Sequence, residues 1–104
     1  MLPFDDPAHY PRAHTTILHL WDEGAVRFSP HATKRMGRRG FDVNDVQHVL
    51  RHGTIVEHNR PRPDKAWRYT VAGQTVEGVP AACVVAIERR LIIITVRHGA
   101  GGTA

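Results

Sequence analysis

A chain of 104 residues, 41% hydrophobic and 23% charged, suits one small globular domain with a modest core rather than a disordered segment. No apolar run approaches the ~18 residues of a membrane span, and Met1-Leu2-Pro3-Phe4-Asp5-Asp6 lacks a basic region followed by an apolar one, so a cytoplasmic chain is expected. Fourteen Lys and Arg against ten Asp and Glu give a formal charge of +4 and a pI near 10.0, which points to a polyanionic partner.

The first fourteen residues carry Pro3, Pro7 and Pro11 and read as an extended arm. Ile17, Leu18, Leu20 and Trp21 then recur at helical spacing, which predicts a helix over 15–23 with Thr15 or Thr16 as its cap and Gly24 as its stop. Val26-Arg27-Phe28 fits either a very short strand or a connector. Ser29-Pro30 opens a second helix, with Ser at the N-cap and Pro at the first helical position. It runs to Arg39 and ends at Gly40. Asp42 caps a third helix to Arg51, with Val43, Val46, Val49 and Leu50 as its buried stripe and Gly53 as its end.

From Thr54 the pattern changes to strands. The spacing predicts strands over 54–58, 67–76 (bulged at Gly73), 79–87 and 91–98, with Glu77-Gly78 as a hairpin turn. Leu91-Ile92-Ile93-Ile94 is apolar on both faces, so the last strand belongs inside the sheet. Asn59–Lys65 is the one substantial loop, and Gly99–Ala104 is a flexible tail of small residues. The expected fold is α+β, with helices packed on one face of a twisted antiparallel sheet of about four strands.

The densest chemistry lies in Ser29–Gly40. His31, Arg35 and Arg39 are four residues apart and form one helical stripe, with Lys34 and Arg38 beside it. His31 falls in the first turn, where the helix dipole attracts anions and favours a neutral imidazole. An imidazole next to guanidinium groups suits proton transfer at a bound phosphodiester. The alternative is a solvated helix face whose arginines meet water or pair with Asp42 and Asp45.

These residues carry a resemblance. Small bacterial proteins of a domain-of-unknown-function family have an S-x-H-A-x-x-R-x-x-x-R-G helix, a second capped helix ending in Gly, and a sheet ending in I-I-x-T-V. The matching stretches are Ser29–Gly40, Asp42–Gly53 and Ile92-Ile93-Ile94-Thr95-Val96. That family looks like a RelE-like branch of the barnase–EndoU–colicin–RelE group of metal-independent ribonucleases, many of them toxins of toxin–antitoxin pairs. The resemblance implies a RelE-like fold, an RNA substrate, a cognate antitoxin, and His31, Arg35 and Arg39 as catalytic residues. It also points to the end of the last strand. Relatives commonly have Tyr after Thr-Val where this chain has Arg97-His98, and a polar residue on the third strand where Ala81-Ala82 stand here. Arg97 can stabilise charge in place of Tyr but cannot act as a phenolic acid.

Elsewhere, His58 ends a strand beside the loop bearing Arg60 and Arg62, and Tyr69 shares a strand face with Trp67. These are candidate RNA contacts, since rings on strands can stack on bases, although Trp67 reads mainly as core. His48 and His52 have metal-pair spacing, but Val49-Leu50-Arg51 lies between them and no carboxylate is adjacent. They read as a helix-surface pair, and no metal or cofactor is expected. His9, His14 and His19 suggest nothing specific. Cys83, within an apolar strand, excludes an internal disulfide and reads as a buried small hydrophobe. Two functions follow: a metal-independent endoribonuclease with His31 as acid or base, or a non-catalytic module whose Arg stripe grips RNA or an acidic protein.

Overall fold

The computed structural model describes residues 7–99. A 3₁₀ turn over Pro7–His9 leads into α1 (Tyr10–Asp22). There follow β1 (Val26–Phe28), α2 (Pro30–Arg39), α3 (Val43–His52), β2 (Thr54–Asn59), β3 (Arg68–Gln74), β4 (Pro80–Ile87) and β5 (Leu91–His98). The fold is α+β, with three helices on a five-stranded sheet ordered β1-β5-β4-β3-β2.

The sheet is mixed, not the expected four antiparallel strands. Val26–Phe28 is a strand and pairs in parallel with Leu91–Ile93. It is too short for a periodicity signal, and its partner lies more than sixty residues away in the chain. β5 is interior, as its two-sided apolar pattern predicts.

The first helix starts at Tyr10, five residues before the expected position. Pro11 sits in its first turn, where a missing N–H costs nothing, so the proline that suggested an arm belongs to the helix. Thr15 and Thr16 are not caps. Their hydroxyls donate back to the carbonyls of Pro11 and Arg12, both at 3.0 Å. Residues 1–6 of the expected arm and 100–104 of the expected tail lie outside the described residues.

α2 and α3 follow their capping signals. Ser29 Oγ accepts from Ala32 N at 3.0 Å, and Gly40 takes the left-handed exit at φ 73°. Asp42 and Asp45 form a reciprocal capping box, and Asp45 also accepts from Val76 N at 3.2 Å. Both carboxylates therefore serve caps and turns, and neither pairs with the α2 arginines. Val43 is 52% exposed, because it occupies the first helical position, before the inward stripe of Val46, Val49 and Leu50.

Gly73 is not a bulge. The β3–β4 register is unbroken from Arg68↔Ala86 to Gln74↔Pro80. The register shifts instead at Val56 in β2 and at Ile94 in β5. Gly73 is small for a packing reason: a Cβ there would lie 3.0 Å from Gly53 Cα.

All three helices bury onto one face of the sheet. Ala13 and Ile17, Ala32 and Met36, and Val46, Val49 and Leu50 join Ile55, Tyr69, Val71, Cys83, Val85, Leu91, Ile93 and Val96 in one core. Ala82 and Ala86 are equally buried but fall outside this cluster, because alternation turns them to the opposite face. No described helix covers that face.

Candidate functional site: a cationic sheet face beside α2

Side chains in register across the sheet form rows on the helix-free face. One row reads Arg27, Ile92, Ala86, Arg68 and Asn59. The next reads Thr95, Val84, Thr70 and Glu57, and a third Arg97, Ala82, Ala72 and Thr54. Three arginines from β1, β3 and β5 thus stand on one face, around Ala82, Ala86 and Thr70, which are themselves buried. Glu57 is the one carboxylate in these rows, and its Oε1 accepts from Thr70 Oγ1 at 3.2 Å. Of the sequence candidates only Arg97 belongs to this surface. Arg27 and Arg68 were missed, although strand alternation places Arg68 opposite Trp67 and Tyr69 and would have found it.

α2 lies along the edge of β5 that β1 leaves unpaired. At its start, Ser29 N donates to Ile93 O at 3.0 Å and Ser29 Oγ to Ile94 O at 2.8 Å. At its end, His98 Nε2 donates to Arg39 O at 3.3 Å, and the His98 ring packs on Phe41 with centroids 4.6 Å apart. A ten-residue helix rises about 15 Å, close to the reach of the strand from Ile94 to His98. The helix therefore runs beside β5 and covers its edge.

Ala32 and Met36 turn inward from α2. Arg35 flanks them half-buried, while His31, Lys34, Arg38 and Arg39 are exposed. None of these five side chains makes an ion pair or side-chain hydrogen bond among the described residues. Among the described residues, which include all fourteen Lys and Arg, only Arg51, to Asp22 at 2.6 Å, and Arg62, to Asp64 at 4.0 Å, are so paired. The remaining cations have no carboxylate partner among the described residues, which favours bound anions.

The remaining candidates do not join this site. His98 shares the helix-side register with Ala81 and serves the α2 terminus. His58 is paired with Tyr69 on the helix side of the sheet, where its Nδ1 lies 2.7 Å from Tyr10 Oη. Tyr69 is only 4% exposed, with its hydroxyl 2.9 Å from His9 Nε2, so its ring is core and has no free face for a base. Arg60 lies over Trp67 at 5.3 Å. These residues form a second cluster at the β2–β3 end, and its His9 and Tyr10 went unnoticed because their segment read as an arm.

His48 and His52 stand with ring centroids 4.6 Å apart, and His48 Nδ1 donates to Gln74 O at 2.7 Å. Among the described residues no group of three His, Cys, Asp or Glu side chains gathers in metal-binding geometry. No helix of the described residues is long and apolar enough to cross a membrane.

Burial pushes the Cys83 thiol up from 9.0 to about 12, so it remains a thiol near neutrality and lacks nucleophilic character. Tyr10 is raised by burial and then by the charge of Glu57, and Tyr69 by burial and then by Tyr10. All three folded-state values lie above their unfolded ones. Their contribution to stability is therefore full below about pH 9 and is lost as pH rises through 9 to 12. Urea midpoints are expected to fall steadily over that range, and Cys83→Ala should shallow the decline. Native protein at pH 8 should leave an aromatic disulfide reagent unreacted until urea is added. Rapid native labelling would contradict this placement of Cys83.

The family model described as a domain of unknown function (DUF4258) matches residues 28–98. The chain belongs to that family. The match begins at the last residue of β1 and takes in α2, α3 and the rest of the sheet, leaving α1 outside it. No curated protein and no solved structure matches the chain.

Proposed function

We propose that the chain is a metal-independent endoribonuclease, the toxin of a toxin–antitoxin pair, which lays RNA across the helix-free sheet face beside α2. The observation that carries this reading is the set Arg27, Arg68 and Arg97 on one face that no described helix covers, none of them ion-paired among the described residues. Guanidinium groups match phosphate oxygens through paired, planar donors.

RNA supplies its own nucleophile. The 2′-hydroxyl loses a proton and attacks the adjacent phosphorus, the bond to the 5′-oxygen breaks, and that oxygen takes up a proton. The products are a 2′,3′-cyclic phosphate and a free 5′-hydroxyl. Arginines cannot carry these protons, because they do not deprotonate in proteins. They hold the non-bridging oxygens as charge builds. His31 is the proton-transfer group, set in the first turn of a helix whose start is pinned to β5 by Ser29. Arg35 and Arg39 extend the phosphate contacts along α2, and Lys34 and Arg38 add positive field.

One observation favours a second reading. His31 has no hydrogen-bonding partner among the described residues, whereas catalytic imidazoles are usually oriented by a third group. A non-catalytic module binding RNA, or an acidic protein such as an antitoxin, would need only the cations. RNA incubated with the protein in EDTA separates the two: the nuclease shortens it, the module retards it intact on a gel.

The nuclease and an RNA-binding module both predict salt-sensitive RNA binding. Replacing Arg27, Arg68 and Arg97 together by Ala should lower the slope of log affinity against log salt by roughly two, at ~0.7 per contact on single strands. An unchanged slope would place the RNA elsewhere.

A further inference from the structure

We propose that the cavity between α1 and the β2–β3 loop is a nucleotide-binding site, taking a planar base joined to a phosphate. The cavity has a volume of about 500 Å³, within the ~300–1,000 Å³ usual for small-molecule sites. Arg12 of α1 and Arg60 and Lys65 of the loop stand around it, with Trp67 on one wall and Tyr69 and Ile87 below. The site lies on the helix side of the sheet, apart from the Arg27–Arg68–Arg97 face. α1 also precedes the segment matched by the family model, so the inference does not depend on the nuclease reading.

Two features of the lining select the ligand. Three cations from two separate chain segments converge there, and no carboxylate is among the described lining residues. Like charges brought together over partly apolar walls repel, and an anion between them relieves that repulsion. Inorganic phosphate would satisfy the cations but make no use of the apolar wall formed by Ala66 and Ile87, and an uncharged ring would do the reverse. A nucleotide meets both demands.

Trp67 has already accepted a flat group. The planar Arg60 guanidinium lies over its ring at 5.3 Å. A base entering above Trp67 would take that place, and the long, exposed Arg60 side chain would swing to the phosphate. The walls are held for this exchange. His9 Nε2 meets Tyr69 Oη at 2.9 Å, Tyr10 Oη meets His58 Nδ1 at 2.7 Å, and the His58 ring lies 5.1 Å from that of Trp67. These contacts tie the start of α1 to β2 and β3 and fix the floor of the cavity.

The test is a calorimetric titration of the intact chain with adenosine 5′-monophosphate and cytidine 5′-monophosphate, with adenosine and inorganic phosphate as separate probes. Both nucleotides should bind, while adenosine and phosphate should each bind about tenfold or more weakly. Arg12→Ala and Arg60→Ala should each weaken nucleotide binding about tenfold, the usual scale of a charge-assisted contact. Both positions are exposed, so neither substitution threatens the fold. Trp67→Leu should weaken it about tenfold through lost stacking, with circular dichroism confirming that the variant is folded. Octanucleotides with and without a 5′-phosphate identify the source: a preference for the phosphorylated strand assigns the site to an RNA end, and binding of mononucleotides alone assigns it to free nucleotide. No heat of binding with either nucleotide at millimolar concentration, or binding unaltered in both arginine variants, would overturn the proposal.

Discussion

Replacing His31 by Gln is expected to lower RNA cleavage by ~100-fold or more while leaving RNA affinity nearly unchanged. Gln keeps hydrogen-bonding capacity but cannot exchange a proton near neutral pH. The phosphate contacts come from arginines, so binding should survive. The fold should survive too, since His31 is exposed while Ala32 and Met36 hold α2 on the core. His31→Ala should match His31→Gln within a few-fold, because the proton and not the contact is what is lost. Full activity in both variants would remove His31 from the chemistry and direct attention to Glu57, the carboxylate on the arginine-bearing face.

Gly53→Ala is expected to destabilise the protein by about 3 kcal/mol, at the upper end for overpacking a well-filled site. The reason is space. Gly53 has φ −83°, which any residue adopts, but a Cβ there would lie 2.5 Å from both Ala72 O and Val49 O. Neither oxygen belongs to a side chain that can rotate away. One sits on β3 and the other in the last turn of α3, so relief requires the helix to move off the sheet. The carbonyl of Val49 also accepts from Gly53 N at 2.8 Å, and that bond stretches in the same motion. Urea unfolding should show a lower midpoint with an unchanged slope. A loss below about 1 kcal/mol would show that the α3–β2 junction yields easily.

The parts of the fold legible in the sequence are those whose signal is local. Ser29-Pro30 with Gly40, and Asp42 with Asp45, bound α2 and α3 because capping is decided within four residues. The interior position of β5 follows from an apolar run on both faces. What escaped depends on distant residues or on space. The parallel pairing of Val26–Phe28 with Leu91–Ile93 is a long-range event without a periodic trace. The glycine at 73 marks the approach of Gly53, not a bulge, and nothing near it in the chain reveals that. Pro11 reads as a breaker unless it is placed in the first turn of a helix, and that misreading hid His9 and Tyr10.

The candidate site was legible in the same uneven way. The α2 stripe stands out because four-residue spacing is visible in one segment. Arg27, Arg68 and Arg97 lie on three strands, two of them drawn together only by the sheet order β1-β5-β4-β3-β2. Their rows exist in the register and not in the chain. Tyr69 illustrates the converse: alternation put it correctly beside Trp67, but only packing against His9 and the helices shows that its ring is enclosed.

RNA scission by the strand's own 2′-hydroxyl needs no metal and cannot occur where that hydroxyl is missing. The most direct measurement incubates the protein in EDTA with an RNA cut at a mapped position, beside an identical RNA carrying a single 2′-deoxy sugar there. The all-ribose strand should be cut to a product ending in a 2′,3′-cyclic or 3′-phosphate while the 2′-deoxy strand survives at that position. Cleavage of both strands, or loss of all cleavage in EDTA with recovery on adding a divalent metal, would contradict it.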